Sequence, residues 1–277
     1  VTKHMYYIDI QAELRNLSTV LKQQDVSKQA CWRIQQQGSL QHWQNILTQL
    51  ECHIEDDSIW FNRHEDADLD VYMLMEQEII FKQLCLELSA LLRLSYDLGL
   101  NRAVRLDLYA HILNLWLGYA DLLSTIQQQG EMKATSALIL EVDYATALLL
   151  ISSDVILNEG DEIVKIVDSL LADHTDRLLD FLIQPYLQQD KISEHYALSY
   201  PFEKLNQCVN SEANIADLKH YMMQIEADQA IGYFWEKKRF HHLQVLGQWR
   251  FEVLALAIIY QLDVSSLKAF ATFPADD

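Results

Sequence analysis

The residues best equipped for chemistry crowd into one stretch, ECHIEDDSIWFNRHEDADLD, residues 51–70. It holds eight carboxylates (Glu51, Glu55, Asp56, Asp57, Glu65, Asp66, Asp68 and Asp70) against one base, Arg63. Cys52, His53, His64 and the aromatic pair Trp60–Phe61 sit among them. Such a set fits a metal site, acid–base catalysis, a solvated acidic loop, or a surface made for a positive partner. Spacing weighs against the first two. The chain has no HExxH, no ExxH pair and no Cys–His ligand spacing. His241 and His242 are adjacent, so on a helix they diverge by about 100° and do not chelate together. Asp107 and His111 lie one helical turn apart, the spacing of an ordinary surface pair. A catalytic carboxyl pair needs a shaped, partly dry pocket, and a run of eight reads more simply as a solvated face.

Other reaction classes find little support. No GxSxG occurs. Ser152 and Ser153 lie in an apolar helical run, where hydroxyls bond back to the preceding turn and act structurally. The seven glycines are isolated and form no phosphate-cradling loop. An all-helical metal-dependent hydrolase using His53, His64 or His111 stays open as an alternative, as does a helical scaffold for some other basic protein.

The elements that must position these residues are helices. Half of the 277 residues are apolar, enough for one or two cored domains. Three prolines and seven glycines cannot supply the turns of a strand-rich fold, while Leu, Ala, Gln, Glu and Asp abound. The fold class is all-α, with two packed helical subdomains at 1–130 and 131–277. Formal charge is −19, from 21 basic and 40 acidic residues. This disfavours direct contact with nucleic acid or an anionic membrane and permits a basic partner. Cys31, Cys52, Cys85 and Cys208 form no CxxC pair and read as reduced, mostly buried thiols of a cytoplasmic protein. The first seventeen residues have no apolar core of a signal peptide, and the longest apolar run, VLALAIIY at 253–260, is far short of a membrane span. No cofactor or metal is expected.

Periodicity predicts a helix over 4–23 with Tyr7, Ile10, Leu14, Leu17 and Leu21 inward. A second begins at Gly38–Ser39, and the acidic stretch follows it. A third spans 68–98, with Leu69, Tyr72, Met73, Ile79, Ile80, Leu84, Leu88, Leu91, Leu92 and Tyr96 as its core face. Gly99 ends it, and Asn101 caps a helix over 102–128. The segment 127–136 is the boundary between halves. An apolar helix then runs to Asn158–Gly160, followed by shorter helices at EIVKIVDSLLAD and at TDRLLDFLIQPY, the latter closed near Pro185. Pro201 suits the first turn of PFEKLNQCVN. A helix from 215 to about 235 precedes the basic patch EKKRFHH, and two last elements follow at GQWRFEVLALAIIYQL and VSSLKAFATF.

The carboxyl-terminal segment is the most specific. Within 251–260 Glu252 is the only charge, in a helix apolar on all sides and therefore buried. Its carboxylate must sit at free N–H groups near the helix start or meet a cation, with Lys237, Lys238 and Arg239 as candidates. Asp263 before Val264–Ser265 reads as an N-cap. The motif Gly247-Gln248-Trp249-Arg250-Phe251-Glu252, an alanine-containing apolar helix, Asp263-Val264-Ser265 and Phe273-Pro274-Ala275-Asp276 resembles the carboxyl-terminal domain of PoNi-like immunity proteins. These are antidotes to polymorphic nuclease toxins delivered between bacteria, with a pattern G-Y-W-x-F-E, D-D-S and Y-P-x-D-L. Asp143-Tyr144-Ala145 and Tyr233-Phe234-Trp235 fit it more loosely, so the resemblance covers roughly 140–277. Gln248 departs from the pattern's aromatic, Val264 from its second aspartate, and its final apolar residue is missing. The motif residues Trp249, Phe251, Glu252, Asp263, Ser265 and Pro274 read as scaffold.

The resemblance implies a non-enzymatic protein whose partner is a cognate DNase toxin. A DNase cleft is basic, and a chain at −19 is drawn to it at long range. Residues 51–78 carry ten carboxylates and one base, net −9; residues 141–180 carry ten and two, net −8; residues 233–277 balance at five and five. The expected toxin-binding surface is therefore Glu55, Asp56, Asp57, Trp60, Glu65, Asp66, Asp68 and Asp70, with Trp60 as anchor. Asp154, Glu159, Asp161 and Glu162 form the second candidate. The bland alternative for the first is an acidic inter-helix loop with Trp60 folded into the core. Trp60 and the apolar helices leave room for a homodimer.

Overall fold

The computed structural model describes residues 3–24, 26, 36–64, 70–129, 141–170, 176–187, 192–197, 202–209, 214–227 and 249–274. Among them the fold is all-α: α1 (Lys3–Lys22), α2 (Gln36–Arg63), α3 (Val71–Asp97), α4 (Arg102–Gln128), α5 (Glu141–Asn158), α6 (Ile163–Asp168), α7 (Arg177–Leu187), α8 (Ile215–Ala227) and α9 (Phe251–Ile259). Two 3₁₀ turns, Glu203–Gln207 and Val264–Ser266, complete the regular structure, and no described residue lies in a strand. The chain divides into two compact units, Val1–Ala134 and Thr135–Asp277. No described helix is long and apolar enough to cross a membrane.

Unit 1 is built from α1–α4, in which each helix packs on the next and α1 returns to α4. Ile10, Leu14, Leu17 and Leu21 line the buried face of α1, while the side chain of Tyr7 lies outside the described residues. The buried face of α3 runs Leu74, Gln77, Phe81, Leu84, Leu88 and Leu91, a clean three–four alternation. This corrects the expected face in its first half. Tyr72 and Ile79 are exposed, and Leu69 lies outside the described residues. Helix α4 approaches α3 tightly where Gly118 faces Phe81; a Cβ on Gly118 would overlap that ring. The turn between them is a Schellman-type closure. Gly99 adopts φ +61°, and Leu100 N donates to Ser95 O at 2.9 Å. Asn101 Oδ1 then accepts from Val104 N and starts α4. Ser39 Oγ donates to the buried Asp97 at 2.9 Å, fastening the start of α2 to the end of α3.

Unit 2 is organised around α5, whose residues 146–157 are buried and which packs on α6, α7 and α9. A helix buried on every side needs neighbours all round, and α9 meets the same need against α5, α7 and α8. Helix α7 ends at Leu187, close to Pro185 as expected; the proline supplies no N–H to the carbonyl of Phe181 one turn back. One correction concerns helix type. PFEKLNQCVN supplies a 3₁₀ turn over Glu203–Gln207 in place of an α-helix; Pro201 lies outside the described residues. The chain leaves α5 through Glu159 and Gly160, both at positive φ (57° and 84°). The hydroxyls of Ser152 and Ser153 are buried without a partner among the described residues, so the expected bonds back to the preceding turn are not formed.

Candidate interaction surface

The acidic stretch is not an inter-helix loop over most of its length. Residues 51–63 complete α2, and the described chain resumes at Asp70, the N-cap of α3. Apolar residues recur at Leu47, Leu50, Ile54 and Phe61, so the helix keeps burying one face while carboxylates occupy the others. Cys52, Glu55, Asp56 and Ile59 fall at i, i+3, i+4 and i+7 and form the exposed stripe of α2. Glu51 turns toward α1, where it pairs with Lys22 and accepts from Ser18 Oγ at 3.0 Å. The Lys22 bond holds its carboxyl below the usual range. Asp57 is half-buried. Asp70 is exposed, but its Oδ1 accepts from Met73 N at 2.9 Å and so serves α3. Glu65, Asp66 and Asp68 lie outside the described residues.

Trp60 is half-buried and so is not folded into the core. Its Nε1 donates to Glu76 Oε2 across the α2–α3 hairpin at 2.8 Å, and its ring packs on Phe61 and His64 at centroid distances of 4.9 and 4.5 Å. Phe61 beside it is buried. Deeper in the hairpin His53 Nδ1 meets the buried Glu87 at 2.5 Å, and Gln83 donates to the same oxygen at 3.0 Å. His64 Nδ1 donates to Trp60 O and His111 Nδ1 to Asp107 O, each one turn back. No three His, Cys, Asp or Glu residues among those described converge as a metal site.

The second acidic candidate separates on inspection. Asp154 is fully buried and is withdrawn from any surface: its carboxylate accepts from Asn158 Nδ2 and Glu162 N, both at 3.0 Å, and pins the turn after α5. Glu162 pairs with Lys165 at 2.5 Å. Only Glu159 and Asp161 of the four are exposed.

The carboxyl-terminal motif is buried at the two ends that flank α9, while Asp263 and Ser265 are exposed. Trp249, Phe251 and Glu252 are buried, as is Pro274. Glu252 lies in the first turn of α9, accepts from Tyr221 Oη at 3.2 Å and has Arg250 Nη1 at 4.0 Å. Glu252 thus stands at the helix start, as expected, with Arg250 as a nearby cation; the candidates Lys237, Lys238 and Arg239 lie outside the described residues. Burial pushes the Tyr221 hydroxyl well up, with the Glu252 charge adding to it. Arg250 N donates to Thr272 O at 2.9 Å, closing the last segment onto α9. Asp263 accepts from Ser265 N and Oγ at 2.9 and 2.6 Å, and those bonds hold its carboxyl low.

No sequence motif marks Asp176, a further buried carboxylate. It accepts from Tyr144 Oη at 3.1 Å and from Leu179 N and Ala197 N at 2.8 Å each. Burial raises its pKa despite these donors and raises that of Tyr144 further. Burial also pushes the Cys208 thiol up to about 12, so it is no nucleophile at neutral pH. An apolar hollow of about 380 Å³ opens between α7 and α9, lined by Phe181, Pro185, Ile192, Val209 and Tyr260. The one cation at its wall, Arg177, already donates to Val209 O at 3.0 Å.

Comparison with known proteins bears on these scaffolds. Protein PA2201 from Pseudomonas aeruginosa, known from its crystal structure, shares the fold with a TM-score of 0.72 at 23% identity, over 95% of this chain and 93% of that one. No curated protein matches the chain. Residues 174–276 match the family described as PoNe immunity proteins (PoNi), C-terminal, a span that opens at α7 and leaves Asp143-Tyr144-Ala145 outside. The resemblance to PoNi-like immunity proteins carried by the Trp249–Pro274 motifs is thereby shown, over that carboxyl-terminal span.

Proposed function

We propose that the chain is an immunity protein that binds and neutralises an antibacterial DNase toxin, without catalysis of its own. The observation that carries the reading is the family match over 174–276. The charge distribution supports a cationic partner: an enzyme that grips DNA presents a basic cleft, and a −19 chain meets it with mutual attraction. Glu55 and Asp56, exposed side by side on α2, are the described carboxylates best placed to engage such a cleft and to keep DNA out of it. On this reading the protein works in the cytoplasm, where the toxin's substrate lies.

Co-expression tests it. A bacterium producing the nuclease toxin encoded beside this chain survives when the chain is present, and the two proteins co-purify as a stoichiometric complex in which DNA cleavage is lost. Unprotected cells and an undiminished nuclease would remove the proposal. Reversing Glu55→Lys and Asp56→Lys together weakens protection without lowering Tm, since both side chains stand in water. Full protection by that variant would dismiss the acidic face while leaving the immunity role in place.

A further inference from the structure

The α2–α3 hairpin exposes apolar side chains that water alone does not explain. Tyr72, Met75 and Ile79 are 75%, 40% and 61% exposed and recur at i, i+3 and i+7 of α3. Ile59, 49% exposed, extends the Cys52–Glu55–Asp56 stripe of α2. Glu76 stands within the Tyr72 face, at i+4, and takes the indole hydrogen bond of Trp60, the residue next to Ile59, so this face of α3 is tied to the end of α2 that carries the other stripe. Isolated exposed apolar residues are ordinary; four on linked stripes of one helix pair mark a surface kept for contact. Acidity is concentrated in the same place. Unit 1 carries eighteen carboxylates and eleven bases, net −7, whereas 51–78 alone carry −9. Outside this hairpin segment, unit 1 is therefore net +2.

We propose that this face docks the cationic, DNA-binding surface of a nuclease, with Tyr72, Met75, Ile79 and Ile59 at the dry centre and Glu55 and Asp56 at the rim. The inference rests on the immunity role proposed above and adds its anchor residues. Charge selects the occupant. A second copy of this chain would set one −9 segment against another. A basic surface instead gains at the rim while the aromatic and aliphatic side chains leave water at the centre, the arrangement of interfaces dominated by a few buried anchors.

The experiment is a titration of the full chain with the purified DNase domain that the protection assay identifies. A Tyr72→Ser/Met75→Ser/Ile79→Ser variant should bind at least about 100-fold more weakly through faster dissociation, with unchanged Tm. A Val164→Ser/Met223→Ser control, exposed apolar residues of unit 2, should stay within about twofold. Should the triple variant unfold, Ile79→Lys alone gives the same reading at a well-exposed position. Binding by Ile79→Lys or by the folded triple variant at wild-type strength overturns the inference and leaves the immunity role standing. A wild-type chain that leaves the nuclease active overturns both. Sedimentation showing a wild-type dimer that the variant breaks assigns the face to a second copy and likewise overturns it.

Discussion

At the scale of single residues, buried carboxylates whose partners are spread along the chain hold unit 2. Asp176 collects donors from Tyr144, Leu179 and Ala197. Asp176→Asn would turn an amide N–H₂ toward a backbone N–H and should cost about 1–3 kcal/mol in urea denaturation. The pH dependence has a defined sign. Burial raises the folded pKa of Asp176, so the stability it contributes is full below the ordinary aspartate range and is lost as pH rises through the higher folded value. Asparagine does not titrate. The deficit of Asp176→Asn should therefore be largest at the acid end and shrink as pH rises, which paired denaturation curves across that window measure. Tyr221→Phe removes the hydroxyl donor to buried Glu252 and should cost about 1–3 kcal/mol by the same measurement.

At the scale of elements, close approach at two glycines sets how helices meet. Gly118 lets α4 lie against Phe81 of α3, and Gly160 combines φ +84° with the Tyr186 ring against its Cα. Gly118→Ala forces the Phe81 ring aside, and Gly160→Ala adds left-handed strain to overlap. Each should lower stability by about 1–3 kcal/mol in thermal or chemical melts. The α3 heptad shows why its outer face was misread from sequence. Tyr72, Met73, Ile79 and Ile80 are apolar enough to pass as core, and only the register counted back from Leu91, Leu88 and Leu84 through Phe81 to Leu74 separates inside from outside. Gln77, polar yet buried, hides that register.

At the scale of the whole molecule, the charge of −19 acts at distances beyond any one contact. Association with a DNase domain should slow by about tenfold or more between 0.05 and 0.5 M salt, while dissociation changes little, as stopped-flow mixing would record. Because each unit buries its own core, we propose that 1–134 and 135–277 fold when produced separately. Each fragment should show a helical circular-dichroism spectrum and a cooperative melt.

Composition, charge and periodicity determined the all-α class, because scarce Gly and Pro leave no turns for strands and three–four spacing survives in any helical packing. The immunity-protein resemblance was legible in Trp249, Phe251, Glu252, Asp263 and Pro274, since motif residues keep their order along the chain whether buried or exposed. Spatial pairing was not legible. Whether a carboxylate faces water, as Glu55 does, or closes a turn in the core, as Asp154 does, depends on donors that folding alone brings near. The same holds for Tyr72 and Ile79: the chain shows that they are apolar, and only the packing of α3 on its neighbours decides that they are left to water.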